Sequence, residues 1–369
     1  MISDPVARLM LDEAGPLPGS VLVLDDREGV LTGAVRESGC SVRTFCDDIR
    51  DAESVPPDVR LGSPAGHERD AELVLLRLPS SLAALEERCS WIARPGGGPV
   101  RLIAGGRVKH MTPAQNEVLA QHFGRVRTSL GRDKCRVLEA SEPTGAEASW
   151  PRSKWVPEAG LSLWAHGGVF GGTRLDAGTA LLLRSLDGRL GGNLDGEPRR
   201  SLDLDGGLEG GPKRALDFGC GSGILACWLA RRGWEVTASD VSWTAVNSTR
   251  LTAAANNVAV TTLWSDGLRG FAPGSFDLIV TNPPFHRGAA KDSTPTLDAI
   301  ADAGSVLAEG GEFWCVFNSH LPYLPALRRE IGATRIVARD RHYTVARSVK
   351  QGPPARGRHS IGGGLRAQM

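Results

Sequence analysis

The octet LDFGCGSG at residues 216–223 constrains the fold more than any other stretch of the sequence. An apolar run reaches Asp217, and glycines at 219, 221 and 223 then lead into the helical pattern ILACWLARRG. Glycine is needed where the backbone turns sharply and a ligand must approach it without a Cβ in the way. The octet therefore predicts a strand, a tight ligand-binding turn and a helix, which are the opening elements of a parallel α/β sheet.

The residues after the octet repeat this alternation. Further strands are predicted at EVTASD (235–240), TTLWSD (261–266), FDLIVTN (276–282) and GEFWCVFN (311–318). Helical patterns separate them, at SWTAVNSTRLTAAANN and near 296–308, and a last helix and strand pair reaches Lys350. Strands that alternate with helices in this way favour a parallel sheet covered by helices on both faces.

The first part of the chain follows a similar order. Its strands are predicted at SVLVLDD (20–26), SVRTFCDD (41–48), AELVLLRLP (71–79) and PVRLIAGG (99–106). Helices are predicted to Gly39, over 80–93 and over 108–124, the last with Thr112 as N-cap and Pro113 after it. The similar order of elements suggests a duplicated domain.

We expect an α/β chain of two tandem Rossmann-like domains, over 1–150 and 151–350, the second with a seven-stranded, mostly parallel sheet. Residues 187–212 contain eight glycines and are predicted to form a flexible loop in the second domain. Residues 351–369 are predicted to be a disordered basic tail.

Composition narrows the class of protein. With 41% hydrophobic and 23% charged residues in a chain of 369, the sequence is typical of a globular protein with two cores. Its start, MISDPVARLM, lacks the apolar core of a signal peptide, and no run approaches the length that spans a bilayer. Seven scattered cysteines without a CxxC pair argue against a disulfide framework or a metal site. We therefore expect a cytoplasmic protein without membrane contact or bound metal.

The net charge of +1 is unevenly distributed. Residues 326–369 contain ten Lys and Arg against Glu330 and Asp340, a local balance of +8, so the rest of the chain carries −7. Such asymmetry can mark a face that meets phosphates, and a solvated surface with a basic tail explains it equally well.

Acidic residues follow each of the first three strands of the second domain. Asp217 and Asp240 end two of them, and Asp266 with Gly267 follows the third. A carboxylate in the place of Asp240 can accept the two hydroxyls of a ribose, and Asp266 can reach an adenine amino group. Each Asp alone could equally be a helix cap or a turn former. Together with the GxGxG turn, which differs from the pyrophosphate-binding GxGxxG, they favour a nucleoside cofactor such as S-adenosylmethionine.

The tetrad NPPF at 282–285 comes directly after the apolar strand FDLIV. Two prolines fix the turn at the edge where open α/β sheets bind ligands, and the amide of Asn282 with the carbonyl of Pro283 could accept both hydrogens of an NH2 group. Phe285 could stack on a base. An ordinary Asn-Pro turn is the alternative. Beside a cofactor turn, the tetrad indicates a pocket for a planar amine, with Asn282, Pro283 and Phe285 as the catalytic residues.

With both motifs identified, the chain resembles the bacterial ribosomal RNA (guanine-N2)-methyltransferases, especially the two-domain small-subunit type. The resemblance rests on segments that occur in family order, namely HGGVFGGTRLDAGTALLL (166–183), LDFGCGSG, SDVSWTAVNSTR, DLIVTNPPFHRG, NSHLPYLP (318–325) and RHYTVARS (341–348). In the first of these, Phe170, Asp176 and Gly178 stand at the family's places in a segment that closes over the cofactor.

The resemblance implies methyl transfer from S-adenosylmethionine to the N2 amine of a guanine in ribosomal RNA, with 16S RNA or the small ribosomal subunit as partner. It assigns cofactor contacts to both motifs and to the segment before them, at Phe170, Asp217, Gly219, Cys220, Gly221, Asp240, Val241, Asp266, Gly267 and Asn282. The first domain would be a degenerate copy that supports folding and substrate binding, since VLVLDDREGV lacks the glycine triplet and RLPSS stands where NPPF is expected. The oligomeric state is not determined by the sequence, and a monomer is the expectation.

Other functions fit the same motifs. The tetrad is shared by methyltransferases that act on adenine N6 or on a glutamine amide of a protein, and large-subunit RNA is an alternative to small-subunit RNA. A non-catalytic RNA-binding assembly factor on the same fold is a third interpretation, because fold alone does not prove activity.

Overall fold

The computed structural model describes residues 2–64, 71–95, 98–145, 147, 149–190, 213–268, 270–283 and 294–351. These residues form two α/β sheets and a small hairpin. Within the described ranges, no helix has the length and apolar character that a membrane span requires.

The N-terminal half forms a six-stranded sheet. Its elements are α1 (Pro5–Ala14), β1 (Ser20–Leu24), α2 (Val30–Glu37), β2 (Ser41–Phe45), α3 (Ile49–Glu53), β3 (Leu73–Arg77), α4 (Leu82–Ile92), β4 (Arg101–Arg107), α5 (Pro113–His122), β5 (Phe123–Thr128) and β6 (Cys135–Pro143). The strand order is β2-β1-β3-β4-β6-β5. The first four strands in this order pair in parallel, β6 is antiparallel to both of its neighbours, and β5 runs in the same direction as β4. Central strands such as β3 are buried on both faces, which explains their continuous apolar sequence.

The C-terminal half contains a seven-stranded sheet preceded by a hairpin. Its elements are β7 (Arg152–Val156), β8 (Leu161–Ala165), α6 (Ala177–Leu190), β9 (Arg214–Phe218), α7 (Ile224–Ala230), β10 (Glu235–Asp240), α8 (Trp243–Ala255), β11 (Val260–Trp264), β12 (Phe276–Thr281), α9 (Thr294–Val306), β13 (Leu307–Asn318), α10 (Leu324–Glu330), β14 (Gly332–Arg339) and β15 (Tyr343–Lys350). The order is β11-β10-β9-β12-β13-β15-β14, in which β15 is antiparallel to both of its neighbours and β14 runs in the same direction as β13.

The two sheets share one topology. If β1 is matched with β9, every strand of the first sheet has a counterpart in the same relative position of the second, and only β11 lacks one. In place of a counterpart, an irregular segment runs beside β2, where Thr44 donates its N–H to the carbonyl of Val59 and accepts the N–H of Leu61. The expected fold class of two tandem Rossmann-like domains is therefore confirmed.

Some predicted boundaries were wrong. The helix expected over 108–124 spans only Pro113–His122, because Phe123 begins the edge strand β5; its N-cap is Thr112 as predicted, in a capping box with Gln115. The last helix and strand pair is a helix with two antiparallel strands. Residues 187–190 belong to α6 rather than to a loop. Residues 191–212 and 352–369, where the remaining loop and the tail were expected, lie outside the described residues.

Candidate cofactor and acceptor site

The glycine turn lies at the carboxyl end of the central strand β9. Gly219 has a φ of +74°, a backbone conformation that residues with a Cβ rarely adopt, and a Cβ built there would meet no atom within 4 Å. The turn is fixed from behind, since the N–H groups of Gly219 and Cys220 both donate to the carbonyl of Ser239, at 2.9 and 3.0 Å. The result is a rigid turn with open space beside it.

Asp240 ends the neighbouring strand and is tied to the same turn. Its Oδ2 accepts the N–H of Gly221 at 3.2 Å, and its Oδ1 accepts the N–H of Ser242 at 3.0 Å. A carboxylate offers about four lone-pair sites, so it can accept several hydrogen bonds at once. The side chain is half-buried. Asp240 is therefore held at the rim of the turn in a form that can accept ribose hydroxyls.

The remaining predicted cofactor residues on this side surround Asp240. The carbonyl of Val241 accepts the N–H of Ile49 at 2.9 Å and the indole N–H of Trp264 at 2.9 Å. Asp266 is exposed and stands two residues beyond β11, and Gly267 follows it with a φ of +68°. Because β10 and β11 run in parallel, their carboxyl ends, and so Asp240 and Asp266, lie at the same edge of the sheet.

Asp217 lies beneath the turn and is 1% exposed. Its Oδ2 accepts the N–H of Ala226 at 2.9 Å, whereas its Oδ1 is buried without a hydrogen-bond partner among the described residues. Burial raises the pKa of the Asp217 carboxyl to about 7, and the negative charge of Asp240 adds to the effect. A buried carboxyl with a free acceptor oxygen next to an open turn suits a ligand that carries positive charge, such as the methionine part of S-adenosylmethionine.

Two further predicted contacts differ in exposure. Cys220 is 5% exposed, accepts the hydroxyl of Thr249 on Sγ at 3.2 Å, and has its thiol pKa raised by burial, so its side chain supports the turn. Phe170 is 75% exposed. It follows Val169, which packs with Ala165 and Ala245 in a small buried cluster. The structure thus brings the glycine turn, Asp240 and Asp217 together, and leaves the aromatic side chain of Phe170 free to meet a ligand.

The predicted acceptor residue Asn282 follows β12 at the same sheet edge. Its side-chain NH2 donates to Asp176 Oδ2 at 3.1 Å and to Thr179 Oγ1 at 2.9 Å. Both amide hydrogens are therefore used within the protein, and the amide is left with Oδ1 as its group for a substrate. Pro283 is buried, whereas Phe285 lies outside the described residues, as does the whole of 284–293.

Thr179 had not been expected in the site. Asp176 precedes α6 and accepts the N–H groups of Gly178 and Thr179 on Oδ2, at 2.9 and 3.1 Å, as a helix N-cap does. Thr179 is three residues further on, so that both side chains face Asn282. The spacing of Asp176 and Thr179 at a predicted helix start was the signal in the sequence that could have pointed to the pair.

No group of three or more potential metal ligands occurs in the part of the chain that the structure describes. A Rossmann-like sheet, a glycine turn with an acidic partner on the next strand, and an oriented amide after the fourth strand define a methyltransferase that uses S-adenosylmethionine.

Comparisons with known proteins agree with this class. The sequence model of the methyltransferase small domain matches residues 160–347, and that of the RLMG N-terminal domain matches residues 8–144. Ribosomal RNA large subunit methyltransferase G of Streptomyces coelicolor is 33% identical over 91% of this chain and 89% of its own length. Ribosomal RNA small subunit methyltransferase C of Chromohalobacter salexigens is 40% identical over 55% of each chain.

Among solved structures, the 16S rRNA N2 methyltransferase RsmC of T. Thermophilus, in complex with AdoMet and guanosine, matches with a TM-score of 0.74 and 26% identity. The match covers 95% of this chain and 92% of that one. The chain therefore belongs to the family of ribosomal RNA methyltransferases in which an RLMG N-terminal domain precedes a methyltransferase small domain.

Proposed function

We propose that the protein transfers a methyl group from S-adenosylmethionine to the exocyclic N2 amine of a guanine in ribosomal RNA, in the cytoplasm. The orientation of Asn282 carries the proposal: with its NH2 held by Asp176 and Thr179, its Oδ1 is a fixed acceptor for an N–H of the target amine. The solved relative that binds both AdoMet and guanosine supports guanine as the base.

The residues around the two motifs would each contact a different part of the cofactor. S-adenosylmethionine, when bound, supplies an electrophilic methyl group. Asp240 would accept the ribose hydroxyls, and Asp266 would accept a hydrogen bond from the adenine amino group. Asp217, beneath the turn, would face the positive charge of the cofactor. The walls of the pocket would be formed by Gly219, Cys220, Gly221, Val241 and Gly267. Phe170 would close over the ligand from the side of α6.

Asn282 would act on the nucleophile. The lone pair of a guanine amine is delocalised into the ring, and acceptors directed at its hydrogens favour the pyramidal form that attacks carbon. Oδ1 of Asn282 and the carbonyl of Pro283 are the proposed acceptors, and Phe285 is proposed to stack on the extruded base and align it. Because the acceptors gain strength as positive charge develops on nitrogen, they stabilise the transition state more than the bound substrate.

The RNA substrate could belong to the large or to the small ribosomal subunit. Relatives named for both subunits align over both halves of the chain. The N-terminal half matches the RLMG N-terminal domain, and the large-subunit methyltransferase G from S. coelicolor is 33% identical, against 26% for the small-subunit RsmC structure. These matches favour large-subunit RNA over the small-subunit RNA expected from the sequence.

The test is methyl transfer from tritiated S-adenosylmethionine into purified 23S RNA, 16S RNA, both ribosomal subunits, DNA and protein, followed by nucleoside analysis. We expect label in N2-methylguanosine of ribosomal RNA. Label in adenine, in DNA or in protein would replace the substrate, and binding of the cofactor without transfer to any acceptor would favour an assembly factor.

A further inference from the structure

The N-terminal half contacts the catalytic half directly behind the proposed cofactor site. The turn after β2 and the turn after β10 pair with each other: Ile49 donates its N–H to Val241, and Trp243 donates its N–H to the carbonyl of Asp47 at 2.8 Å. The carboxylate of Asp47 also accepts the N–H of Thr244 at 2.8 Å. These turns occupy equivalent places in the two sheets, so the contact relates the halves by an approximate two-fold symmetry.

A second contact starts from Glu87 on α4. This side chain is 0% exposed although it carries a carboxylate. Its Oε2 accepts the N–H of Gly167 at 2.9 Å, and its Oε1 lies 2.5 Å from Nδ1 of His166. The other ring nitrogen of His166 lies 2.8 Å from Oδ1 of Asn247 on α8. Since both ring nitrogens face oxygen acceptors, the geometry fits a protonated imidazole paired with an ionised Glu87.

The electrostatics of this pair agree with its geometry. Burial lowers the pKa of His166, but the hydrogen bond to Glu87 and its negative charge outweigh burial, so that the pKa lies above the ordinary value of 6.5. The neighbouring Arg88 opposes the protonated form, and its own charge is met by Asp25 and Asp47. A buried, charge-assisted pair of this kind holds its partners in one geometry.

Gly167 is fitted closely against α4. A Cβ built on it would lie 2.2 Å from the carbonyl oxygen of Ala83, and the carbonyl of Gly167 accepts the hydroxyl of Ser81 at 3.3 Å. Both polar groups of Gly167 are therefore held by α4, the carbonyl by the N-cap Ser81 and the N–H by Glu87 in the middle of the helix. The backbone here has no freedom to move away from the N-terminal half without breaking these bonds.

The clamped segment continues into the cofactor site. Val169 follows two residues after Gly167, and its Cγ1 lies 3.9 Å from a Cβ built on Gly221. The exposed Phe170 is next, and Asp176, which orients Asn282, comes six residues later. The position of residues 166–170 over the glycine turn thus depends on Glu87 of the other half.

We propose that Glu87 is a positioning residue for the cofactor site, so that the N-terminal half sets the affinity for S-adenosylmethionine through the segment His166 to Phe170. The inference rests on the proposed function, because it takes S-adenosylmethionine as the ligand of the glycine turn. Glu87 itself touches neither cofactor nor substrate. Its role is to hold the wall of the pocket in the binding geometry and so lower the cost of ordering that wall when the cofactor binds.

Glu86 provides a matched control. It is adjacent on α4 and also reaches the C-terminal half, through an ion pair of 3.0 Å with Arg152 on β7. This pair lies at the surface, where Arg152 is half exposed, and the hydrogen bonds that the described residues give to Glu86 come from Ser149 and Arg152, outside the 166–170 segment. The variants E87Q and E86Q therefore each alter one contact between the halves, and only the first acts on the pocket wall.

The test is calorimetric binding of S-adenosylmethionine to the full chain and to both variants, with steady-state kinetics and thermal unfolding alongside. We expect E87Q to weaken binding about tenfold, since a buried charge-assisted hydrogen bond is replaced by a neutral one. The KM for the cofactor rises with it, kcat at saturating cofactor stays within about twofold, and E86Q binds as the wild type does. E87D, which keeps the charge on a shorter side chain, is expected to fall between them and serves as the readout if E87Q does not fold.

Three results would overturn the inference. Equal affinity in E87Q and the wild type, with only a lower melting temperature, would make Glu87 purely structural. An equal loss in E86Q and E87Q would assign the effect to domain contact in general. A wild-type chain that does not bind S-adenosylmethionine would remove this inference together with the proposed function, whereas normal wild-type binding with an unaffected E87Q removes the inference alone.

Discussion

Leu24 and Phe218 are the last residues of equivalent strands in the two sheets. The residue that follows is Asp25 in the N-terminal half and Gly219 in the C-terminal half. Gly219 and Asp25 both have positive φ, +74° and +58°, so the N-terminal half keeps the turn but not the glycine. The carboxylate of Asp25 accepts the Nε–H of Arg88 at 3.1 Å, and Arg88 also lies 3.9 Å from Asp47, at the end of the neighbouring strand. One half therefore keeps open space at its strand ends, and the other fills the same region with its own cation.

The difference shows how a duplicated domain can lose a ligand and keep its fold. Arg88 is 3% exposed and stacks on Trp91 at 4.2 Å, so its guanidinium supplies in the N-terminal half the positive charge and the packing that a ligand would otherwise bring. The acidic turn residues Asp25 and Asp47 of that half bind groups of the protein itself. Asp47 accepts the N–H groups of Trp243 and Thr244, just after β10.

The acceptor positions give the sharpest contrast. Leu76 pairs with Leu24 as Thr281 pairs with Phe218, so Arg77 occupies the register position of Asn282. We expect N282A to lower turnover by about 100- to 1,000-fold, because a group that stabilises charge in the transition state is lost. Cofactor affinity should change little. Steady-state methyl transfer and calorimetry measure the two effects separately.

R77A is the control for this substitution. It removes an ion pair with Asp4 and is expected to reduce stability while turnover stays near that of the wild type. Full turnover in N282A, or an equal loss in R77A, would contradict the contrast between the two positions.

Much of this contrast could be predicted from the sequence. The glycine turn, the strands around it and the tetrad are local patterns, and the lost triplet in VLVLDDREGV marked the first half as degenerate. The spacing of Asp176 and Thr179 at a helix start is visible in the sequence, but their contact with Asn282 is not. Nor is the partner of His166, because these contacts join positions 79 to 106 residues apart. A local signal did exist for Glu87 and Arg88, which are charged residues on the otherwise buried face of α4.

Three strands with antiparallel neighbours were also not predicted from the sequence. Strands β5, β6 and β14 lack a continuous apolar sequence. The edge strands β5 and β14 carry exposed charges such as Arg125 and Arg335, and the inner strand β6 has half-buried and exposed positions among its buried ones. These strands pair only when the rest of the sheet is present, so their own sequences give little indication of a strand. For this reason the helix predicted before β5 extends too far. The central parallel strands, which are buried on both faces, were the ones predicted most accurately.

The buried Arg88 in the N-terminal half allows a stability test. D25N keeps the size of the side chain but leaves Arg88 with a weaker partner, and we expect the free energy of unfolding to fall by about 2 kcal/mol. Chemical denaturation measures it. D12N, which alters an exposed ion pair with Arg132, should change stability by less than about 0.5 kcal/mol. Similar values for the two variants would mean that Arg88 is not held by Asp25 as the structure indicates.

The raised pKa of Asp217 makes the stability of the protein depend on pH. Its folded-state pKa of about 7 lies above the value expected for an unfolded chain, so the folded protein keeps this proton to higher pH. The stability of the wild type relative to D217N should therefore fall as pH rises from about 4 to about 7, by up to about 4 kcal/mol, and level off above that range.

Denaturant titrations at several pH values check this slope. D26N is the comparison in the other half, since both oxygens of Asp26 are satisfied by Leu31 and Thr32 and Asn cannot accept all of these bonds. Burial raises the pKa of Asp26 as well, so D26N should lower stability most at low pH and less as pH rises. A constant difference between wild type and D217N at every pH would show that Asp217 is ionised without cost.

The central claim is that only one of the two equivalent turns binds the cofactor, and calorimetric stoichiometry tests it most directly. We expect one S-adenosylmethionine per wild-type chain, and none in G219D, which places at residue 219 the amino acid found at the equivalent Asp25. Two cofactors per wild-type chain, or one cofactor still bound by a folded G219D, would contradict the account.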